Sequence, residues 1–470
     1  RNEKVNGAKR RGTPSSSNDL KEALSEKIPL HHDLIRNFRR LQGSTIISNI
    51  TVDSIYQGLQ NISAIVRDTS EVDAKAGIRF RGFSIPEILN VLPRRGISPR
   101  PEAMFWLLLT GDVPTEEQTT SLMADWTSRR QRRIELWSKD DRANIINSIL
   151  QAVPNTFAPL QKFSIILTAL ASGAINNRQA FSNDISSSYT NWENTFEDSM
   201  ELLAILPEIV GLIVQKSHNG RFVMDDNGEW IHPLLKHLDN TIIDLESKKL
   251  HLEDFLRLYI TLNADEDGGN PTTHVAHILS ALNLDVNLIL AAKSLAYTNE
   301  PQTGTMRQYM VLQHRIQMRL GTGHEDDILR EYAAAIISRN ETLIGFRKSD
   351  IPDARYVALL NYAREYLPQS IDVKLSQNIA RIFIMVMRNR QRNIVPEQSA
   401  IAAPIFQYYG MTDMDFNQVL LYMSRTLGVI ASMIWSKAMS VPAEHPISKS
   451  TRSYVNLIEE IYKNKPLSRL

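Results

Sequence analysis

The sequence predicts a large all-α protein, and three observations carry that expectation. Leu160 to Ala174 and Leu202 to Val214 are apolar on nearly every face, as helices sunk in a large core must be. Gln418 to Met439 is a third apolar helical stretch, longer still. Alternating strand patterns are scarce, with only Ser44 to Val52 and Gly77 to Phe83 as short candidates.

Taken in chain order, the opening stretch is the least globular. Arg1 to Ser17 holds Arg1, Lys4, Lys9, Arg10 and Arg11 against the single acid Glu3, followed by Ser15, Ser16 and Ser17. Such a composition, on a chain that starts at Arg1, is expected of the end of a mitochondrial transit peptide or of a disordered basic arm. The body that follows belongs to a chain of 470 residues, enough for a large domain plus a smaller one. Hydrophobic residues make up 43% and charged residues 22%, an ordinary balance for a globular protein. The net charge of +1 offers no global electrostatic argument for nucleic acid or membrane binding. The absence of cysteine removes disulfides, thiolate catalysis and Cys-ligated zinc, and fits a reducing compartment.

Two arginine clusters, Arg129, Arg130, Arg132, Arg133 and Arg388, Arg390, Arg392, lie in helical sequence and read as solvated helix faces rather than nucleic-acid contacts. His274 and His277 follow the acids Asp265, Glu266 and Asp267, but a Gly- and Pro-containing bend separates the two groups, so no metal site is expected. In the last long helix, Asp413 or Asp415 supplies an N-cap, and Arg425 in its middle suits a buried helix better than a membrane span.

Three stretches then resemble the citrate synthase family of the eukaryotic mitochondrial type: Gly77–Glu87 (GIRFRGFSIPE), Phe105–Gln118 (FWLLLTGDVPTEEQ), and Gln407–Met414 (QYYGMTDM) with Met423–Val429 (MSRTLGV) and Ile434–Lys437 (IWSK). The start of the body, with Asn18–Leu24 (NDLKEAL), is similar as well, so the resemblance runs from about Ser15 to about Thr451. It implies an all-α dimer with a flexible arm at 1–17, a large helical domain of residues 18–303 and 405–470, and a small helical domain of residues 304–404 that closes over substrate. It also implies a place in the mitochondrial matrix and the tricarboxylic acid cycle.

The family condenses acetyl-CoA with oxaloacetate. That reaction needs a carboxylate to take the methyl proton, a donor for the enol oxygen and an acid for the oxaloacetate carbonyl, which in the family are an Asp and two His residues. Here the family's Gly-Pro-Leu-His-Gly reads Glu300-Pro-Gln-Thr-Gly304, placing Thr303 (or Gln302, one register off) at the first histidine. The Pro-Gly-Tyr-Gly-His loop reads Thr342-Leu-Ile-Gly-Phe346, so Phe346 replaces the second. Val-Asp-Ala-His-Ser-Gly reads Gln398-Ser-Ala-Ile-Ala-Ala403, so Ser399 replaces the aspartate. The substrate-binding His-Ser-Asp-His-Glu-Gly-Gly-Asn reads Asn263-Ala-Asp-Glu-Asp-Gly-Gly-Asn270, with Glu266 at its second histidine. The histidine census supports this placement, because no histidine lies between His277 and His314 or between His324 and His445.

Arg355 and Arg425 match family arginines that hold substrate carboxylates, Asn270 matches the end of the Gly-Gly-Asn turn, and His445 stands where a partner subunit contributes an arginine. The resemblance, read residue by residue, therefore implies a non-catalytic relative with no cofactor of its own. Such a protein pairs with itself or with an active paralogue, or serves a larger mitochondrial assembly, in a structural, regulatory or assembly role. Three rivals stay open: an active citrate synthase, an enzyme of altered specificity using the acids at 265–267 as base, and a carboxylate-binding module. On the leading reading Arg355 and Arg425 pair internally with Glu266 or Asp267.

Overall fold

Apolar length decides most of the architecture. A computed structural model describes residues 13–463 apart from 61, 74–76, 140–141, 172–191, 215–227, 243–245, 267, 283, 300, 340 and 391. Helices dominate it, as predicted. The apolar segments fold as Pro159–Ala171, Trp192–Val214 and Met414–Ala438. In the last, Asp413 is the cap: its side chain accepts from Asp415 N at 2.9 Å, satisfying a donor left open at the helix start. Every residue from Phe416 to Trp435 is buried. This helix is long and apolar enough to cross a bilayer, but 89% of its most apolar window is covered by protein, which makes it the spine of a core.

Trp192–Val214, Pro101–Thr110 and Pro271–Ser280 pack around that spine, and Val286–Ala296 packs along Pro159–Ala171. All ten residues of Pro101–Thr110 are buried, and each fully buried Leu or Phe there contributes about 1.5–3 kcal/mol. Gly111 ends this helix at φ +80°, a left-handed conformation that glycine adopts without a Cβ penalty. A second group of helices follows. Pro301–Gln317 packs on Ser399–Tyr408, which also contacts Ile371–Arg388, and Glu325–Ser338 lies against Ile371–Arg388. Pro301–Gln317 and Ser399–Tyr408 run across positions 303/304 and 404/405, so the expected domain limits fall inside helices.

Of the two strand candidates, one forms. Ser70–Asp73, Gly77–Phe80 and Phe83–Ser84 make a three-stranded antiparallel sheet. The last two strands turn through Arg81 and Gly82, both at positive φ (50° and 81°), as a two-residue hairpin requires. Ser44–Val52 is not a strand. Among the described residues no neighbouring strand accepts its backbone groups, and Ile46, Ile47 and Ile50 stay exposed. Instead Thr51 caps the short helix Val52–Tyr56 through a reciprocal bond pair with Ser54 at 3.1 and 2.9 Å. A two-stranded ribbon joins Phe346–Lys348 to Ile394–Pro396.

Three arginines of the first basic cluster turn inward, and only Arg132 stays at the surface, 3.6 Å from Glu201. Arg129 pairs with Asp125 (2.8 Å), Glu197 (2.9 Å) and Glu201 (3.1 Å), and Arg133 pairs with Glu201 (2.8 Å). Arg130 is buried and donates to the Ala204 carbonyl at 2.9 Å. These bonds tie Glu116–Lys139 to Trp192–Val214.

Candidate functional site

The segment 263–270 leaves the end of the Glu246–Leu262 helix and lies across Met414–Ala438. Gly428 makes this approach possible. A Cβ there would stand 2.1 Å from Asp265 Cγ, and its N–H donates to the Ala264 carbonyl at 2.8 Å. Asp265 is fully buried and turned away from the cavity, held by an ion pair with Arg67 and by Thr69 Oγ1 donating at 2.6 Å. Asn270 caps Pro271–Ser280, accepting from the Thr272 N–H at 2.9 Å, so its role here is the turn itself. Asp267 lies outside the described residues.

Glu266 is the centre of the arrangement. One carboxylate oxygen pairs with Arg425 at 2.7 Å, and the other pairs with Lys293 at 3.2 Å and accepts from the Thr273 hydroxyl. All three ionic side chains are at most 4% exposed. Burial opposes the charged carboxylate, but Lys293 and Arg425 overcome it and hold the Glu266 pKa down to about 2. Burial likewise pulls the Lys293 ammonium below its ordinary pKa, with Glu266 resisting. The carboxylate between two cations is the stronger constraint, and we take the cluster as fully ionised. Arg425 also donates to Tyr297 Oη at 2.5 Å, and the Lys293 ammonium sits 4.7 and 4.9 Å from the Tyr297 and Tyr422 ring centres.

Arg355 does not join this cluster. Its Nε donates to the Leu262 carbonyl at 2.9 Å, and its N–H is capped by Asp353 at 2.9 Å. With Tyr259, Met306, Gln398 and Ser399 it lines a cavity of about 100 Å³. Asp353 and Glu397 line it too, and since one water takes up about 30 Å³ in the liquid, this space suits a few waters and falls well below the usual range of about 300–1,000 Å³ for ligand pockets. Ser399 opens Ser399–Tyr408, and its hydroxyl is buried with no hydrogen bond among the described residues.

Phe346 is buried in the Phe346–Lys348 strand with its ring centre 5.5 Å from that of Phe383, where it fills core space rather than facing a reactant. Thr303 and Gln302 fall in the first turn of Pro301–Gln317. His445 is exposed, in a segment without regular structure, and its neighbour Glu444 touches His274 (3.0 Å) and His277 (3.3 Å). The two histidines thus clasp a carboxylate, an outcome their spacing did not reveal.

Sequence reasoning placed Arg425 against Glu266 but missed Lys293, Arg67, Thr69, Thr273 and Tyr297. The signal for Lys293 was present. It is the one charge in the apolar helix Val286–Ala296 (VNLILAAKSLA), and a cation buried in such a helix needs a buried anion.

The fold and the site define a helical protein with a buried Glu266–Arg425–Lys293 cluster against its core spine and a small cavity lined by Arg355 beside the second group of helices. The comparisons make this specific. The family Citrate synthase, C-terminal domain, matches residues 58–446. The chain is 31% identical over 457 residues to "Citrate synthase, mitochondrial" of Kajikia audax, covering 95% of this chain and 93% of that protein. It is equally similar to the protein of the same name from Xiphias gladius. Among solved structures, citrate synthase of Pyrobaculum aerophilum aligns with a TM-score of 0.63 over 84% of this chain and 92% of its own, at 18% identity. The Thermoplasma acidophilum citrate synthase, in ternary complex with carboxymethyl coenzyme A and oxaloacetate, aligns at 0.64 over 86% and 98%, at 14% identity. The chain belongs to the citrate synthase family.

Proposed function

We propose that this chain is a mitochondrial matrix member of the citrate synthase family that does not condense acetyl-CoA with oxaloacetate. Its role is then structural, regulatory or as an assembly subunit. The observation that carries the reading is Glu266, whose carboxylate sits between Arg425 and Lys293 in the place where the family binds a dicarboxylate. A dianion entering there meets a fixed negative charge in a partly desolvated site, and like charges there repel. Ser399 and Phe346 supply neither base nor acid, and each positioned group of that kind is worth about 10²–10⁴-fold in rate. The 31% identity over 95% of the chain to two mitochondrial citrate synthases supports the matrix location, a small domain near residues 304–404 and a dimer. That dimer forms with a second copy or with an active paralogue, alone or within a larger assembly.

The same identity favours a second reading, an active citrate synthase. The test is the condensation assay with acetyl-CoA and oxaloacetate, following free CoA with a thiol-reactive dye. A protein without cysteine adds no background to that dye. Turnover within about a hundredfold of a working citrate synthase, the loss expected from removing a single acid or base, would establish the enzyme reading. Turnover at the uncatalysed rate from a folded dimer supports the proposal.

A further inference from the structure

A groove separate from the Glu266 site runs between Pro301–Gln317 and Glu325–Ser338, with a volume of about 660 Å³, inside the size range of small-molecule sites. The short connection between the two helices makes them antiparallel neighbours. Arg307, Val311 and Arg315 stand at i, i+4 and i+8 and therefore share one face, which looks into the groove. The two guanidinium-bearing positions are about 12 Å apart along the helix axis at 1.5 Å per residue.

The ends of the groove carry the same charge arrangement. At one end Arg319 is paired with Glu331 at 2.9 Å, and Arg315 stands beside that pair without an acid in ion-pair distance among the described residues. At the other end Arg339 lies 4.0 Å from Glu341, and Arg307 likewise has no acid in ion-pair distance among the described residues. Its nearest electrostatic influence is on Asp415, across the neighbouring groove. Each end thus sets two arginines against one glutamate, while Asp413 and Asp415 stand in the neighbouring groove that Arg307 and Arg315 also border. Between the ends the floor is apolar: Leu312 is buried, while Ile336 and Ile344 are half-buried and face the space. Tyr332 Oη donates to the Arg315 carbonyl at 3.3 Å and fixes the helix spacing at the Arg315 end.

We propose that this groove binds an elongated organic dianion, a long α,ω-dicarboxylate, with one carboxylate on Arg307, one on Arg315 and the apolar chain along the Leu312–Ile336–Ile344 floor. A compact dianion leaves the apolar floor uncovered, and a monoanion with the same chain leaves one guanidinium without a partner. Guanidinium–carboxylate contacts are the strong class of hydrogen bond and reward such a match.

The test is calorimetric titration of the full chain with dodecanedioate, dodecanoate and succinate. We expect dodecanedioate to bind about tenfold more tightly than dodecanoate, the value of one charge-assisted contact at a partly exposed site, and succinate to show no binding. Arg307→Gln and Arg315→Gln should each reduce dodecanedioate affinity to that of dodecanoate and leave dodecanoate within twofold. Ile336→Asp should abolish binding of both while the far-ultraviolet circular dichroism stays unchanged. Equal affinity for the mono- and dicarboxylate, or dodecanedioate binding that survives the Arg307→Gln/Arg315→Gln double variant, would overturn the proposal. The Glu266 cluster is untouched by these variants, so the outcome is independent of whether the chain condenses acetyl-CoA.

Discussion

Replacing Glu266 with Gln keeps the side-chain volume and removes only the charge, leaving Arg425 and Lys293 buried without an anion. Two routes give the cost. Removing one partner of a buried ion pair typically costs about 3–5 kcal/mol, because the charges left behind stay desolvated. Independently, the carboxyl is held at about 2 against an ordinary 4.5, and about 2.5 units at 1.36 kcal/mol each give about 3 kcal/mol. The sign follows from the depressed pKa: this stability is present above pH 4.5 and lost as the pH falls towards 2. The assay is urea denaturation at pH 7, with and without oxaloacetate or malate. Wild-type protein should be indifferent to either anion, since its site already contains a carboxylate. Glu266→Gln should unfold at lower urea and recover on adding the dicarboxylate, by about 2.7 kcal/mol at a hundredfold excess over its dissociation constant. A variant as stable as wild type and blind to the anion would refute the reading of Glu266 as an internal substitute for substrate.

Glu102 carries a second pH-dependent contribution, of opposite sign. Burial raises its pKa to about 7, opposed by the Trp230 N–H donating at 2.7 Å and assisted by Glu229. A raised carboxyl stabilises the fold fully below about pH 4.5 and loses that contribution as the pH rises through 7, about 3 kcal/mol in all. Glu102→Gln should therefore exceed wild type in urea midpoint at pH 8 and match it near pH 5; a variant weaker at pH 8 contradicts this. Gly428→Ala should lower stability to urea by about 1–3 kcal/mol, the usual cost of forcing atoms into a packed site. A gain of about 1 kcal/mol, the helix preference of Ala over Gly, would mean that segment 263–270 does not rest on that glycine.

Much of the fold could be read from the sequence because long apolar helices announce themselves. Leu202–Val214 and Gln418–Met439 have no polar face to hide, so burial on all sides was the only consistent placement. Ser44–Val52 misled because its β-branched residues mimic a strand, whereas a strand exists only with a partner, and partner choice is not local. The site was half legible. The proposed roles of the Ser399 and Phe346 positions rest on motif position alone, as did the Glu266–Arg425 pairing, which the structure contains. Lys293 lies 27 residues beyond Glu266, and only the packing of Val286–Ala296 beneath the loop brings it into contact. The His274–Glu444–His277 clasp joins segments 170 residues apart and had no sequence signal at all.

Charge balance fixes what Arg425 needs around it. Arg425 lies in the middle of a helix buried on every side, and a buried guanidinium with no anion would cost several kcal/mol. On the proposed placement of the family motif, Glu266 stands where the family has a histidine and gives Arg425 and Lys293 a permanent counter-ion. The fold then no longer depends on a visiting dicarboxylate for neutrality. The exchange also closes the way back. Glu266→His alone would leave the two cations unpaired whenever substrate is absent. That reversal would have to arrive with a base in place of Ser399 and an acid in place of Phe346 to gain anything in return. On the proposed reading the fold keeps the Glu266 cluster because its two buried cations need the carboxylate, and any activity would have to arise with Glu266 in place.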